Sequence, residues 1–529
     1  MKKLFYLVPL FISFIFLGSC TDDFDEINTN PRTLSSETLG PSSMGLVAAR
    51  SFYRTTYLDR GAFQTTKSLF ANIFAQYFAT THPNFDSDRY LMVGGWLNGA
   101  WSTFTLNHFA QVKLWQDFAE EGGFELEAAM AKVWKVYTWH RATDFWGPLP
   151  YHSFGNQEAS VPFDSQEDIY MDFFETLDEA MSVLQANAGG SSFLAGNDLL
   201  YNGNIDQWIK FTNSLRLRLA MRIRYVNAGK AQSEAEKAVA GGVIDAIGDN
   251  GIVESSTNWP NPYNTISQWS EYRLSADMES ILKGYEDTRS NVWFSPADIP
   301  DPTDDPEGIS FPIEGMRNGQ SKVDKGDTDQ LNFNKKASDH APAYTEAGAA
   351  GPNIIVLAAS ESYFLRAEGA LIGWNMGGGS AQEFYEQGIS TSFAENGLPV
   401  ENLRGENYIS STNTPASYDG STEPASNIPI AYDAGASTEY QLEQILTQKW
   451  IALFPDSFEA WAEKRRTGYP VLYPRLNSDN PALPPDEIAR RVPYVANMYS
   501  RNGEATESAV NNLLGGPDNG ATKLWWDAK

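Results

Sequence analysis

Residues 361–396 read ESYFLRAEGALIGWNMGGGSAQEFYEQGISTSFAEN. Apolar residues recur at spacings of three and four on both sides of a glycine-rich middle, which predicts one helix over residues 361–374 and a second over residues 381–396. The first carries large, small and large residues and the second carries small, aromatic and small residues, at Leu365, Gly369 and Ile372 and then at Ala381, Tyr385 and Gly388. Small residues let two antiparallel helices approach closely, and the aromatic ring fills the groove towards the next repeat. The stretch therefore predicts a tightly packed helix pair.

This spacing is that of the tetratricopeptide repeat, and a helical period recurs along the chain. Further helices are predicted over residues 69–80, 127–145, 169–184, 205–223, 442–454 and 457–466. Asp206 is placed to act as the N-cap of its helix. Gly, Pro, Asn, Asp and Ser concentrate in four stretches that are predicted to be loops, at residues 189–197, 255–265, 297–350 and 410–438. The chain is therefore predicted to be mainly helical.

The length of the chain and the absence of a long linker bear on its domain organisation. A chain of 529 residues could hold three or four domains by length alone. However, no long charged or Pro/Ser-rich linker divides it after residue 40. We therefore predict a single domain over residues 41–529.

The chain is acidic, with 39 Lys and Arg against 67 Asp and Glu and a formal charge of −28. Such a field repels nucleic acid and anionic lipid headgroups. Neither is therefore expected as a partner. The 15 Trp, 24 Tyr and 30 Phe residues provide material for both a large core and flat stacking surfaces.

Residues 1–30, MKKLFYLVPLFISFIFLGSCTDDFDEINTN, contain the only cysteine of the chain. Two lysines, an apolar run too short to span a membrane, and small residues at positions 18 and 19 predict a signal peptide over residues 1–19. Residues 17–20, LGSC, resemble the lipobox of bacterial lipoproteins. The resemblance implies that Cys20 carries acyl chains such as palmitate and that residues 20–40 form a tether. The alternative is an ordinary signal peptide beside an incidental cysteine.

The acidic run that follows Cys20 bears on location. Residues 21–26, TDDFDE, resemble the export signal that sends lipoproteins of Bacteroidetes-type bacteria to the outer face of the outer membrane. A solvated tether is the simpler interpretation, and the two are compatible. Acylation of Cys20 would leave no thiol for a disulfide, so the exported fold would depend on packing alone.

Sequence motifs for catalysis are scarce. The five histidines form no HExxH pair, no G-x-S-x-G elbow occurs, and the glycine-rich stretches lack the Lys-Ser/Thr of a P-loop. A glycoside hydrolase, however, needs only two carboxylates a few ångströms apart. Hydrolysis therefore stays open in a chain with 67 acidic residues.

One acidic loop offers oxygen ligands of the kind that calcium prefers. Its carboxylates are Asp298, Asp301, Asp304, Asp305 and Glu307. Prolines at positions 302 and 306 and the absence of the EF-hand order favour a solvated loop over a calcium site. No other metal and no cofactor are expected.

Aromatic residues in loop-like segments are the candidate ligand contacts. The segment VGGWLNGAW, residues 93–101, and the region from NWPNPYNTISQWSEYR, residues 258–273, onwards provide Trp96, Asn98, Trp101, Tyr263, Trp269, Arg273 and Trp293. An aromatic plane stacks on the C–H face of a sugar ring, while neighbouring Asn and Arg side chains bond its hydroxyls. The alternative for each tryptophan is core packing.

Arginines form a second cluster, for which a structural role is predicted. They suit helix C-termini and an acidic surface around them. The residues are Arg216, Arg218, Arg222 and Arg224, with residues 464–466 at another helix end.

Several segments in this order resemble the SusD/RagB family of nutrient-binding outer-membrane lipoproteins, in its SusD-like branch. They include CTDDFDEINTNP after the lipobox, ATDFWGPLPY, WIKFTNSLRLRLAMRI, SESYFLRAEGALIGW and KWIALFPDSFEAWAEKRRTGYP, and they run from end to end of the chain. The resemblance implies a mainly α fold, a SusD-like α–α superhelix of four tetratricopeptide-like helix pairs, with a loop-rich ligand-binding face and few short strands.

The resemblance also implies a function. A protein of this kind is lipid-anchored in the outer membrane, faces the cell exterior and forms the lid of a SusC-like TonB-dependent transporter. It binds an oligosaccharide and delivers it for import without catalysis. Some members take peptides and some hold calcium, so a peptide or another nutrient is an alternative ligand. A surface glycoside hydrolase and a helical-repeat scaffold or adhesin are the remaining alternatives.

Overall fold

The computed structural model describes residues 41–56, 59–156, 158, 160–298 and 312–529. The predicted signal peptide over residues 1–19 and the tether over residues 20–40, with Cys20, lie outside these residues. No helix in the described ranges is long and apolar enough to cross a membrane. Buried apolar residues from Met44 to Trp526 belong to one connected core. The division of the chain into residues 20–40 and 41–529 stays a prediction.

Helices dominate the described chain, and the prediction of a mainly α fold with few short strands is confirmed. The helices are α1 Pro41–Thr55, α2 Arg60–Phe63, α3 Asn72–Phe74, α4 Gly94–Ser102, α5 Ala110–Glu121, α6 Glu125–Trp146, α7 Gln166–Ala186, α8 Ile205–Arg222, α9 Ala228–Ala240, α10 Tyr263–Gln268, α11 Ala276–Gly284, α12 Ser290–Trp293, α13 Lys322–Gly326, α14 Thr328–Lys336, α15 Pro342–Thr345, α16 Ala359–Leu371, α17 Ala381–Glu395, α18 Thr438–Ala452, α19 Ser457–Thr467 and α20 Ala496–Asn512. The strands are β1 Phe78–Thr80, β2 Gly251–Val253, β3 Tyr272–Leu274 and β4 Ile354–Leu357. Segments Gln64–Ala71 and Thr103–Phe109 are π-helical and continue their neighbouring α-helices.

The helices α16 and α17 form the close pair that the sequence predicts. A Cβ atom on Gly388 would lie 2.9 Å from the ring of Phe364, so glycine is what allows this approach. Tyr385 is buried, and its hydroxyl donates to the carbonyl oxygen of Ile430 at 2.6 Å. The second helix begins with a capping box between Ser380 and Glu383. Three further pairs, α6 with α7, α8 with α9 and α18 with α19, pack in the same sequential way.

The predicted helix over residues 69–80 is wrong at its C-terminal half. The helix ends at Phe74, and Gln76 adopts a left-handed φ of 56°. The Gln76 side chain stabilises this turn by donating to Asp277 at 2.7 Å and to the carbonyl oxygen of Tyr473 at 3.0 Å. The chain then enters β1, which pairs with β3 in antiparallel fashion. Contacts from distant segments therefore override the local helical period.

Two smaller predictions also need correction. Asn204, not Asp206, is the N-cap of α8, because its side chain accepts from the amide of Gln207 at 3.2 Å. Asp206 instead accepts from the amide of Gly189. The predicted loop over residues 297–350 contains α13, α14 and α15 within its described part.

The arginines of α8 are structural, as predicted, but they are buried rather than at an acidic surface. Arg218 is bonded through Nε and Nη2 to Glu361 of α16, at 2.7 and 2.6 Å. Arg222 reaches Asp144 of α6 at 2.6 Å and also bonds Glu459 of α19. The helices α6, α8, α16 and α19 belong to four different helix pairs, so these ion pairs link all four pairs.

Candidate ligand-binding face

The ladder between β1 and β3 places the predicted ligand segment that ends at Arg273 beside residues 78–81, which come before the other predicted segment in the chain. Ala79 lies opposite Arg273, and the ladder continues beyond the strands, where the amide of Thr81 donates to the carbonyl oxygen of Glu271 at 3.0 Å. The hydroxyl of Thr81 also donates to the carbonyl oxygen of Ser270 at 2.5 Å. The chain just after Thr81 and the chain just before Ser270 therefore lie side by side.

His82 and Trp269 adjoin this junction in the chain, and Phe85 and Trp96 follow His82 ring to ring. We call these four rings the outer aromatic face. The ring centroids of His82 and Phe85 are 5.9 Å apart, and those of Phe85 and Trp96 are 6.2 Å apart. The first three side chains are partly exposed, and Trp269 is 45% exposed. Rings of this kind offer flat apolar planes to a ligand from solution.

Trp269 owes its exposure to a tight turn. It follows the last residue of α10, and Ser270 then adopts a left-handed φ of 54°, which is uncommon for a residue other than glycine. The turn is held by the bond from the Thr81 hydroxyl to Ser270. The helix therefore ends abruptly and leaves the indole of Trp269 in solution beside the start of β3.

Trp96 lies in the first turn of α4, next to two exposed glycines. A Cβ atom on Gly94 or Gly95 would meet nothing within 4 Å, so the space before Trp96 is open. Asn98 is half-buried, and its side-chain oxygen accepts from the amide of Asn497 at 3.2 Å. Trp101 is half-buried and packs edge-on against Trp146 at 5.4 Å. Of these predicted residues, Trp96 has the more open surroundings.

Glu271 supplies a carboxylate between the face and the core. One oxygen accepts from Nε2 of Gln64 at 2.6 Å, and the other has no hydrogen-bond partner among the described residues. Burial raises the pKa of Glu271, and the bond from Gln64 opposes this shift. The oxygen without a partner is itself buried, so the carboxylate lies beneath the face rather than on its surface.

Sequence analysis missed Glu271, Gln64, His82 and Phe85. Gln64 and Glu271 are 207 residues apart, and only the β1–β3 pairing makes them neighbours. The sequence contains one indication of Glu271, which is that it lies between two of the predicted ligand residues, Trp269 and Arg273.

Three predicted ligand residues lie away from the outer aromatic face. Tyr263 is buried, and its hydroxyl lies 3.3 Å from the side-chain oxygen of Asn72. Trp293 is buried and donates to Asn396 at 2.7 Å. Stacking on a ligand needs an open ring face, and neither ring presents one in this structure.

Arg273 is likewise engaged within the protein. Its guanidinium donates to the carbonyl oxygen of Tyr272 at 2.7 Å and forms an ion pair with Asp339 at 3.3 Å. It fixes the backbone beneath the face. Ligand contact by the seven predicted residues stays a prediction, and Trp96 and Trp269 are the ones placed to make it.

The described residues contain no cluster of three or more His, Cys, Asp or Glu side chains that could hold a metal ion. Of the acidic loop, only Asp298 is described; it is exposed and lies 4.0 Å from Nζ of Lys336. Asp301, Asp304, Asp305 and Glu307 lie outside the described ranges. A calcium site there stays a prediction.

A protein-family model and several solved structures are similar to this chain. The family model "SusD-like: SusD and RagB outer membrane lipoprotein" matches residues 26–527. No curated protein sequence matches. A chitin-binding SusD homologue from Flavobacterium johnsoniae is 35% identical, with a TM-score of 0.79, over 91% of this chain and 98% of that one. A SusD homologue from Bacteroides uniformis is 32% identical, with a TM-score of 0.79, over 92% of this chain and 99% of that one.

A SusD homologue from Bacteroides ovatus is 30% identical, with a TM-score of 0.80, over 93% of this chain and the whole of that one. These matches confirm the resemblance and the SusD-like fold that the sequence predicts. The family model covers almost the whole chain. The chain therefore belongs to the SusD-like family of SusD and RagB outer membrane lipoproteins.

Proposed function

We propose that this protein binds a glycan at the outer aromatic face and delivers it to a SusC-like TonB-dependent transporter. The observation that carries the proposal is the exposed ring of Trp269 at the β1–β3 junction, from whose other strand His82, Phe85 and Trp96 follow ring to ring. Glycan binding also agrees with the family, in which one similar structure is of a chitin-binding SusD homologue and another of a chitin-binding protein.

The chemistry of the face suits a sugar chain. The C–H face of a pyranose ring stacks on an indole plane, and the half-exposed rings of Trp96 and Trp269 provide two such planes.

The placement of the protein is part of the proposal. Acylation at Cys20 would hold the chain on the outer membrane, and the acidic run after it would direct it to the exterior. The family description as an outer membrane lipoprotein supports the anchor. In this position the protein would act as a lid that captures ligand and does not cleave it.

Calorimetry with chitin oligosaccharides tests the ligand, with other glycans and a peptide panel for comparison. We expect binding by the wild type, and a loss of about fivefold or more in Trp269→Ala and in Trp96→Ala, because stacking on each ring contributes about 1 kcal/mol or more. Phe193→Ala is the matched control, since Phe193 is an exposed ring that packs on Phe124 elsewhere. Full affinity in both tryptophan variants would remove the outer aromatic face from the proposal. Binding of peptides alone would replace the glycan.

Two cellular measurements test delivery. The protein should co-purify with a TonB-dependent barrel from outer membranes, and protease added to intact cells should cut it. A protein that stays intact under protease would contradict the exterior placement.

The hydrolase alternative has its own assay. The purified protein should release no reducing sugar from any glycan that it binds. Release of reducing sugar would overturn the binding-only function.

A further inference from the structure

An open groove of about 280 Å³ lies beside α14, and none of the four rings of the outer aromatic face lines it. Its lining comes from α13, from α14 and from the loops that contain Arg317, Tyr418 and Leu476. A volume of this size is close to the lower end for ligand sites. The groove therefore suits part of an oligosaccharide rather than a whole one.

A single buried side chain joins this groove to the β1–β3 junction. Nδ2 of Asn334, in α14, donates to the carbonyl oxygen of Thr81 at 3.3 Å and to Oε1 of Gln320 at 2.8 Å. Gln320 lines the groove. Thr81 in turn bonds the backbone of Ser270, the residue that follows Trp269. The groove is therefore connected through one amide to the turn that carries Trp269.

The groove has apolar groups that reach solvent. Phe333, on α14, is 42% exposed, and Leu476 is 48% exposed. Tyr418 is partly exposed, and its ring packs edge-on against that of Tyr473 with the centroids 5.5 Å apart. The phenyl ring of Phe333 can therefore offer an open plane to a ligand.

The groove also keeps a donor and an acceptor within reach of solvent. The guanidinium of Arg317 lies 5.6 Å from the ring centroid of Tyr418 and donates to the carbonyl oxygen of Pro474 at 2.7 Å. A guanidinium has five N–H groups, and this side chain is partly exposed, so donors remain for a ligand. Asp324, in α13, is exposed and supplies a carboxylate acceptor.

This combination suits a neutral sugar. A pyranose has an apolar C–H face and hydroxyls that both donate and accept, so it can use a ring, a guanidinium and a carboxylate together. The charged groups of the lining are Arg317 and the carboxyl groups of Glu314, Asp324 and Asp419. This excess of acidic groups disfavours an anionic ligand.

We infer that the groove is a second subsite for the glycan, so that one sugar chain extends from Trp269 to Phe333. The inference rests on the proposed function, because the same chain must also occupy the outer aromatic face. At the groove, Phe333 stacks on one sugar unit, Arg317 donates to its hydroxyl oxygens and Asp324 accepts from a hydroxyl. The ligand is then an oligosaccharide of several units. Its affinity rises with length, because the second contact becomes intramolecular once the first is made.

Calorimetry of the full mature chain with chitohexaose and chitobiose tests this subsite. The wild type should bind chitohexaose more tightly, because only the longer chain reaches both sites. Phe333→Ala should weaken chitohexaose binding about fivefold or more and leave chitobiose binding unchanged. Phe193→Ala is the matched control, since Phe193 is 44% exposed and lies outside the groove. It should bind both chains as the wild type does.

Asp324→Ala gives a second test at an exposed position, where the substitution should not disturb folding. It removes the acceptor and should likewise weaken chitohexaose binding alone. Chitohexaose binding that equals that of the wild type in both variants would overturn the inference. A loss of chitobiose binding as large as that of chitohexaose would also overturn it, because short chains would then bind at the groove.

Trp269→Ala separates the inference from the proposed function, since it should weaken the binding of both chains. A loss in Trp269→Ala with none in Phe333→Ala would overturn the second subsite and leave the proposed function standing. A loss in Phe333→Ala with none in Trp269→Ala would overturn both, because the chain would then occupy the groove alone. A wild type that binds neither chain would overturn the inference, and the other glycans of the panel would then decide the proposed function.

Discussion

At the scale of single residues, Glu271 sets the electrostatics of the outer aromatic face. Its carboxylate is largely removed from water, and Gln64 satisfies only one of its oxygens. Burial raises its pKa, which means that the folded protein takes up a proton more readily than the unfolded chain does. The charged form of Glu271 therefore costs folding free energy.

This cost predicts how stability depends on pH in Glu271→Gln. Because the folded pKa lies above the unfolded value, the wild type pays no penalty well below the unfolded pKa and the full penalty above the folded pKa. The variant should therefore gain stability relative to the wild type as pH rises from about 4 to about 8. Urea unfolding of both proteins across this range measures the difference. A gap that shrinks as pH rises would show that the carboxylate is stabilised in its charged form.

At the scale of secondary-structure elements, buried ion pairs join helix to helix. Glu459 of α19 bonds Arg222 of α8 and lies 3.6 Å from Nε of Arg218. Burial alone would raise the pKa of Glu459, but Arg222 and Arg218 lower it to about 2. The group is therefore ionised over the whole physiological range.

Glu459→Gln should destabilise the fold by about 3–5 kcal/mol, because it removes one of the two carboxylates that balance the buried guanidinium of Arg222. Urea unfolding at neutral pH measures the loss. Glu179→Gln is the matched control: Glu179 is 65% exposed and pairs with Lys132 at 2.7 Å, and an exposed pair contributes about 1 kcal/mol or less. Equal losses in the two variants would contradict the role of the buried pair.

The difference in stability between the wild type and Glu459→Gln should depend on pH. A depressed folded pKa contributes stability that is present above the unfolded pKa of about 4.5 and is lost as pH falls through the folded value of about 2. The gap between the wild type and Glu459→Gln should therefore persist at pH 5 and narrow as pH falls from about 4.5 to about 2.

At the scale of the whole molecule, the sequence predicts the scaffold better than the site. The 3.6-residue period is a local signal, and it located α16 and α17 within two or three residues of each end. The face depends on β1 and β3, which are short and nearly 200 residues apart. Residues 69–80 have a helical pattern, and contacts of Gln76 with Asp277 and Tyr473 end the helix early. A local sequence pattern cannot reveal contacts between residues that lie so far apart in the chain.

The predicted lipid anchor at Cys20 determines whether the whole protein stays on the membrane. Cys20→Ala removes the acylation site, so we expect the variant to leave the membrane fraction and to appear in the soluble fraction. Several acyl chains are needed for stable attachment, and the described helices offer no membrane span. Fractionation followed by immunoblotting measures this, with Phe193→Ala as a control that should stay with the membrane. A Cys20→Ala protein that still sediments fully with membranes would show that something other than the acyl chains holds it.

The ladder between β1 and β3 has a consequence for how such a protein can diversify. The scaffold is joined by matched acid–base pairs between distant helices, so a change in one member demands a compensating change in another. The face is joined to the scaffold chiefly by backbone hydrogen bonds, such as the one from Thr81 to Glu271, and these bonds are indifferent to side-chain identity. The exposed ring of Trp269 can therefore be exchanged at little cost to the fold, whereas Phe85 and Trp96 also pack against the core. The inherited framework can stay unchanged while the surface at this turn varies.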